Sequence, residues 1–128
     1  MAVAVSITSV DFTGNQLLVS GTLTLTGNYG SSGSHGDTVS FLGFDQVKSS
    51  YPPNSVSIFE TPAAGTSASG FVYSFSPGTT QGNGVMQVFG TPATGGATTP
   101  LTEYTQAAAY SAGLLAAKIS FRAWFPNL

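Results

Sequence analysis

The chain has 128 residues, enough for one domain with a sizeable core that needs no disulfide or metal staple. Asp, Glu, Lys and Arg together make up only 6% of it, against about 25% in ordinary soluble domains. Three basic residues cannot neutralise a run of phosphates, which argues against a nucleic-acid partner, and the absence of Cys removes disulfides, thiol chemistry and Cys-based zinc sites.

Hydrophobic residues at 41% and aromatics at 12% argue against disorder, because the apolar positions alternate rather than scatter. With so few charges, the polar surface is built from Ser, Thr, Asn, Gln and Gly. Weak charge repulsion suits a protein that works inside an assembly. No signal-peptide pattern is visible, and the low-polarity run 107–117 is too short to span a bilayer. The expectation is a chain made in the cytoplasm, with no membrane partner.

In chain order, Val3, Val5 and Ile7 alternate with Ala4, Ser6 and Thr8 and predict a first strand. Thr13-Gly14-Asn15-Gln16 predicts a turn. The stretch 17–26, LLVSGTLTLT, predicts a second strand with Val19, Gly21, Leu23 and Leu25 on one face. A glycine inside a strand marks a bulge or a close backbone approach. The stretch 28–36, NYGSSGSHG, reads as loop, and 37–42 as a short strand with Val39 and Phe41 on one face. Tyr51-Pro52-Pro53-Asn54 cannot be a central strand. A further strand is expected over 55–60, where Val56 and Ile58 alternate with Ser55, Ser57 and Phe59.

The stretch 71–90 predicts a central β-hairpin. Phe71, Tyr73 and Phe75 share a face, while 85–89 is almost continuously apolar, as a strand covered on both sides would be. Asn83-Gly84 is the turn signal between the two runs. After a small-residue linker over 91–100, the stretch 101–109 fits either two helical turns or a poor edge strand. The last strand is expected over 114–125. There Ile119, Phe121, Ala123 and Phe125 lie on one face, and Lys118, Ser120, Arg122 and Trp124 on the other. Seven or eight strands with little or no helix predict a single all-β domain over 1–128, an antiparallel β-sandwich of jelly-roll-like form.

Catalytic chemistry has little to stand on. The single His, His35, lies two residues before Asp37 and next to Ser34, but no nucleophile turn or oxyanion hole accompanies it, so a solvated loop is expected. Asp37 and Asp45 are separated by a strand, and the five acids of the chain form neither a paired motif nor a calcium loop. Gly78, Gly82 and Gly84 join two strands and read as turn residues rather than a phosphate loop. No enzyme activity, cofactor or metal is expected. Arg122 and Trp124 share a strand face and are candidates for an interface patch, with a local cation–π contact as the structural alternative. Tyr29, Tyr51, Tyr73, Tyr104 and Tyr110 could form a sugar-stacking platform; Tyr73 is expected in the core, while Tyr29 and Tyr51 lie in loops.

Several segments together resemble one family. VSITSVDFTGNQLLVSGTLTLTGNY, then HGDTVSF, then FVYSFSPGTTQGNGVMQVF, and finally AAAYSAGLLAA leading into KISFRAWFP, resemble small β-rich virion proteins of tailed bacteriophages. The resemblance covers most of the chain. It implies a capsid decoration or cement protein, a jelly-roll-like homo-oligomer, often a trimer, seated on the outside of the phage head. The implied partner is the major capsid protein, and the implied location is the virion surface after synthesis in the host cytoplasm. Contact residues expected on this reading are the N-terminal arm with Ala2, Val3 and Val5, and the side chains of Tyr29, Tyr51, Arg122 and Trp124. A carbohydrate- or receptor-binding β-module of a phage tail or spike is the alternative.

Overall fold

The computed structural model describes residues 3–30, 35–44, 47, 51–62, 69–90 and 101–126. Among them, eight strands form two antiparallel sheets, with one short helix. The strands are β1 (Val3–Thr13), β2 (Gln16–Leu25), β3 (Asp37–Val39), β4 (Ser55–Glu60), β5 (Val72–Ser76), β6 (Gly84–Gly90), β7 (Thr102–Glu103) and β8 (Ile119–Pro126). The helix α1 (Ala112–Ala116) precedes β8. The all-β expectation holds.

The first sheet has the order β1-β2-β8-β4. Its opening hairpin turns at Gly14-Asn15, where Gly14 supplies a positive φ of 60°. Along β1 the register slips between Ile7, opposite Gly21, and Ser9, opposite Ser20. Thr8 is the extra residue of a β-bulge, and its hydroxyl donates to the Ser20 carbonyl at 3.1 Å where the ladder is interrupted. The bulge reverses the alternation of β1. Before it, Val3, Val5 and Ile7 face inward; after it, Val10 packs on the core and Asp11 is exposed. Gly21 sits opposite this bulge, and a Cβ there would collide with the Ser6 carbonyl and the Phe121 ring. The expected close approach is therefore real.

β8 runs between β2 and β4, and its inward and outward residues alternate without a slip. Ile119, Phe121, Ala123 and Phe125 are each at most 1% exposed. The expected strand over 114–125 begins later. Ser111 caps α1 by accepting the Leu114 N–H at 3.3 Å, and Leu114 is buried, so these residues coil before the strand starts.

The second sheet has the order β3-β6-β5, with β7 also pairing with β6. β3 lies against Gly84–Met86 and β7 against Phe89–Gly90, so two short strands share one side of β6 while β5 takes the other. The ambiguous stretch 101–109 thus supplies a poor edge strand and not a helix. Asn83-Gly84 is not the hairpin turn. Gly84 already belongs to β6 and lies beneath the Phe75 ring, where any side chain would collide. The connection is instead held by the Asn83 side chain, which accepts from the Thr80 N–H and donates to the Thr79 hydroxyl, both at 2.9 Å. β6 is not covered equally on both sides either: Met86 and Val88 are fully buried, while Val85, Gln87 and Phe89 are partly exposed.

One buried cluster draws on both sheets. Phe41, just past the end of β3, sits at its centre. Its ring makes edge-on contacts with Phe75 of one sheet and with Phe121 and Phe125 of the other, at centroid distances of 6.4, 5.4 and 5.3 Å. β3 ends at Val39, earlier than expected, but Phe41 keeps the inward side and its N–H donates to the Gln81 carbonyl at 3.0 Å.

Candidate functional site

The expected contact residues separate into two groups. Val3 and Tyr29 are fully buried, so the placement of both on a contact surface is corrected. Val3 lies opposite Leu25 at the start of β1 and closes the core. Val5 is partly buried and packs on the same core. Ala2 lies outside the described residues, as do Ser34, Asp45 and the linker 91–100. Arg122, Trp124 and Tyr51 remain at the surface to differing degrees: Arg122 is exposed, Trp124 half-buried and Tyr51 49% exposed.

Arg122 and Trp124 lie on the outward face of the β1-β2-β8-β4 sheet. The pairing register arranges this face in rows. Asp11, Leu18, Trp124 and Ser55 lie side by side across the four strands, and Ser9, Ser20, Arg122 and Ser57 form the next row. Ser6, Thr22, Ser120 and Phe59 form a third. The face is therefore a bed of hydroxyls with a small aromatic and aliphatic centre. The Arg122 guanidinium stands 5.6 Å from the Phe59 ring centroid, so the local cation–π contact exists. It orients Arg122 on the face without burying it. The Asn54 N–H donates to the Trp124 carbonyl at 2.6 Å, which ties the Tyr51-to-Asn54 segment to the same end of β8.

A second set of polar contacts gathers around Tyr29, Glu103 and Asp37, with the exposed His35 at its rim. Between β3 and β7, the Val88 N–H of β6 has no strand beside it; the Tyr29 hydroxyl accepts it at 3.3 Å. The same hydroxyl donates to Glu103 Oε2 at 2.5 Å. Glu103 also takes the Gln87 amide at 3.4 Å and forms an ion pair with His35 at 2.8 Å. Asp37, 5% exposed, accepts from the Gly30 N–H at 3.0 Å and from the Tyr110 hydroxyl. Tyr29, Tyr104 and Tyr110 contact one another at centroid distances of 5.6 to 6.0 Å. The two segments are joined by their backbones as well: Tyr29 N–H donates to Ala108 O at 2.9 Å and Ala107 N–H to Tyr29 O at 2.6 Å.

Burial raises the pKa of Tyr29 and Tyr110, and their acid partners add to the effect, so both phenols stay protonated as donors. Tyr73 is raised in the same way beside Glu60. For Glu103, burial works against the charge, but hydrogen bonds from Tyr29, His35 and Gln87 outweigh it and hold the carboxyl below its ordinary range. Glu60 ties the two sheets together: it accepts from the Ser69 N–H at 2.9 Å and from the Tyr73 hydroxyl of β5 at 3.1 Å.

This arrangement does not assemble the His35–Asp37 pair considered from sequence. The two side chains have different partners, Glu103 and Tyr110. Among the described residues no group of His, Asp and Glu is placed to hold a metal ion. The five tyrosines make no common platform either. Three form the inner cluster, Tyr73 bonds to Glu60, and Tyr51 is exposed. Sequence reasoning missed the Tyr29–Glu103–His35 and Asp37–Tyr110 network, because its partners lie 68 to 74 positions apart. The available signal was a lone aromatic, Tyr29, inside an otherwise small-residue run.

No protein-family model matches the chain, and no curated protein or solved structure matches it either.

Proposed function

We propose that the chain is a structural virion protein, a decoration protein that binds the outside of a phage head as a homo-oligomer and stabilises it through contacts with the major capsid protein. The observation that carries this reading is the outward face of the β1-β2-β8-β4 sheet, where Trp124, Leu18 and the oriented Arg122 stand in a field of Ser and Thr. Trp and Arg concentrate binding energy at protein contacts, and uncharged hydroxyls cost less to desolvate there than charged groups would. The family resemblance in the sequence supports the same reading. So does the strand order, in which β2-β8-β4 and β3-β6-β5 are in keeping with a jelly-roll sandwich. Asp37, Glu60, Glu103 and His35 are engaged in contacts that hold the chain together, which favours a mechanical role over a catalytic one. Many copies on one shell give avidity without tight single contacts, and they stabilise the filled head by binding only its assembled state.

The test is co-sedimentation of the purified protein with heads of the phage that encodes it, prepared without it. Saturable binding in a fixed ratio to capsid subunits is expected. Absence of binding at micromolar protein overturns the reading.

A saccharide-binding module is a second reading, favoured by one feature. A hollow of about 330 Å³ is lined by Phe71, Tyr104, Glu103 and Thr102, which combines ring faces with a carboxylate and a hydroxyl. Sugar-dependent signal on a glycan array, lost in Tyr104→Ala, is the result that would favour it.

A further inference from the structure

We infer that two copies of this chain pair through the outward face of the β1-β2-β8-β4 sheet, with Asp11 of each copy meeting Arg122 of the other. The inference rests on the reading of the chain as an assembly protein and gives its self-contact a place.

The described charged groups on this face are Asp11, Arg122 and Lys118, and none of them makes an ion pair with another described residue. The ion pair found among the described residues, His35–Glu103, belongs to the inner network. Asp11 lies on β1 opposite Leu18, and Arg122 lies on β8 opposite Ser20. Two strand spacings and one two-residue step separate their Cα atoms, about 12 Å, and the Arg122 guanidinium is directed the other way, over Phe59 on β4. A two-fold axis lying along the face, crossing β2 between Leu18 and Ser20, brings each Asp11 onto the other copy's Arg122. Such a contact is self-complementary, and the pair occurs twice.

The same axis also satisfies the apolar centre of the face. It carries Leu18 of one copy toward Trp124 of the other and brings the two Trp124 rings near the axis. Two features favour the contact energetically. Arg122 is already held beside Phe59, so less freedom is lost on pairing. The residues around that centre are mostly Ser and Thr, with Lys118 toward the far end of the face, so no further charge has to be stripped of water at its centre. The bulge at Thr8 is a precondition, because it puts Asp11 on this face. The family resemblance implies three-fold order; the charge geometry argues for two-fold order instead.

The experiment is solution mass by sedimentation equilibrium for the parent chain, Asp11→Arg, Arg122→Asp and the double exchange Asp11→Arg/Arg122→Asp. Circular dichroism confirms that each variant is folded. A dimer is expected for the parent, with at least tenfold weaker association in each single variant and recovery in the double exchange. A monomeric or trimeric parent, single variants that still dimerise, or a double exchange that stays monomeric would overturn the pairing. Head binding is measured in parallel. If Arg122→Asp loses head binding while its mass is unchanged, the face docks on the capsid and the pairing is overturned. If the parent dimerises by this rule yet ignores heads, the pairing stands and the decoration function falls.

Discussion

Tyr29 shows how one side chain can complete a sheet. Its hydroxyl accepts the Val88 N–H that neither β3 nor β7 reaches, and donates to Glu103 on β7. Its backbone meanwhile pairs with Ala107 and Ala108. Tyr29→Phe keeps the ring packing but leaves the Val88 N–H buried and unpaired, so it is expected to lose about 1–3 kcal/mol in denaturant unfolding. A neutral result would mean that this N–H is satisfied in another way. Glu103 gives a pH signature. Its carboxyl is held below the ordinary range in the folded chain, so its contribution is present at neutral pH and is lost as pH falls through its folded pKa. The difference in melting temperature between the parent and Glu103→Gln is therefore expected to be largest at neutral pH and to shrink in acid, below the usual glutamate range. A difference that grows in acid would contradict the assignment. None of this was legible in NYGSSGSHG. At Gly30 and Gly36 turn chemistry is right for the backbone, each with a positive φ, yet it says nothing about the buried ring of Tyr29.

At the scale of elements, the sequence signal was strongest where one strand carries one unbroken pattern. β4 read correctly, and β8 in its two faces though not in its start, because their inward and outward residues alternate without a slip. β1 also left a trace of its bulge: the apolar spacing from Ile7 to Val10 breaks the period of two by one residue. Gly21 is the other half of that device. Gly21→Ala is expected to destabilise by roughly 1–3 kcal/mol, since the new methyl meets a backbone carbonyl that cannot move aside. Asn83-Gly84 misled for a different reason. The dipeptide has turn chemistry, but the glycine is required by the Phe75 ring lying over it, and the asparagine by the loop it braces. Phe75→Ala removes that cover and a contact with Phe41, and is expected to cost about 3 kcal/mol in thermal or chemical unfolding. A near-zero effect would place the core elsewhere.

For the whole molecule, the period-2 pattern made the all-β class readable, but not which strands become neighbours. β8 lies between β2 and β4, far from both in sequence, and no local signal names those partners. Long-range pairing is chosen by the fit of whole faces, as when Phe41 closes the space between Phe75, Phe121 and Phe125. The same consideration sorts the contact residues. Val3 and Tyr29 looked available from sequence and are used by the fold, while Arg122 and Trp124 were on an open face in both readings. What is left at the surface is a stiff scaffold whose one distinctive flat face is given to self-contact, so that paired copies can bridge a shell. The most direct test of that claim is the temperature at which filled heads release their DNA, measured with and without the protein. The account predicts that saturating protein raises it by several degrees, and that Trp124→Ala, which leaves the buried core intact, abolishes most of the gain. Heads that release DNA at the same temperature with and without the bound protein would contradict it.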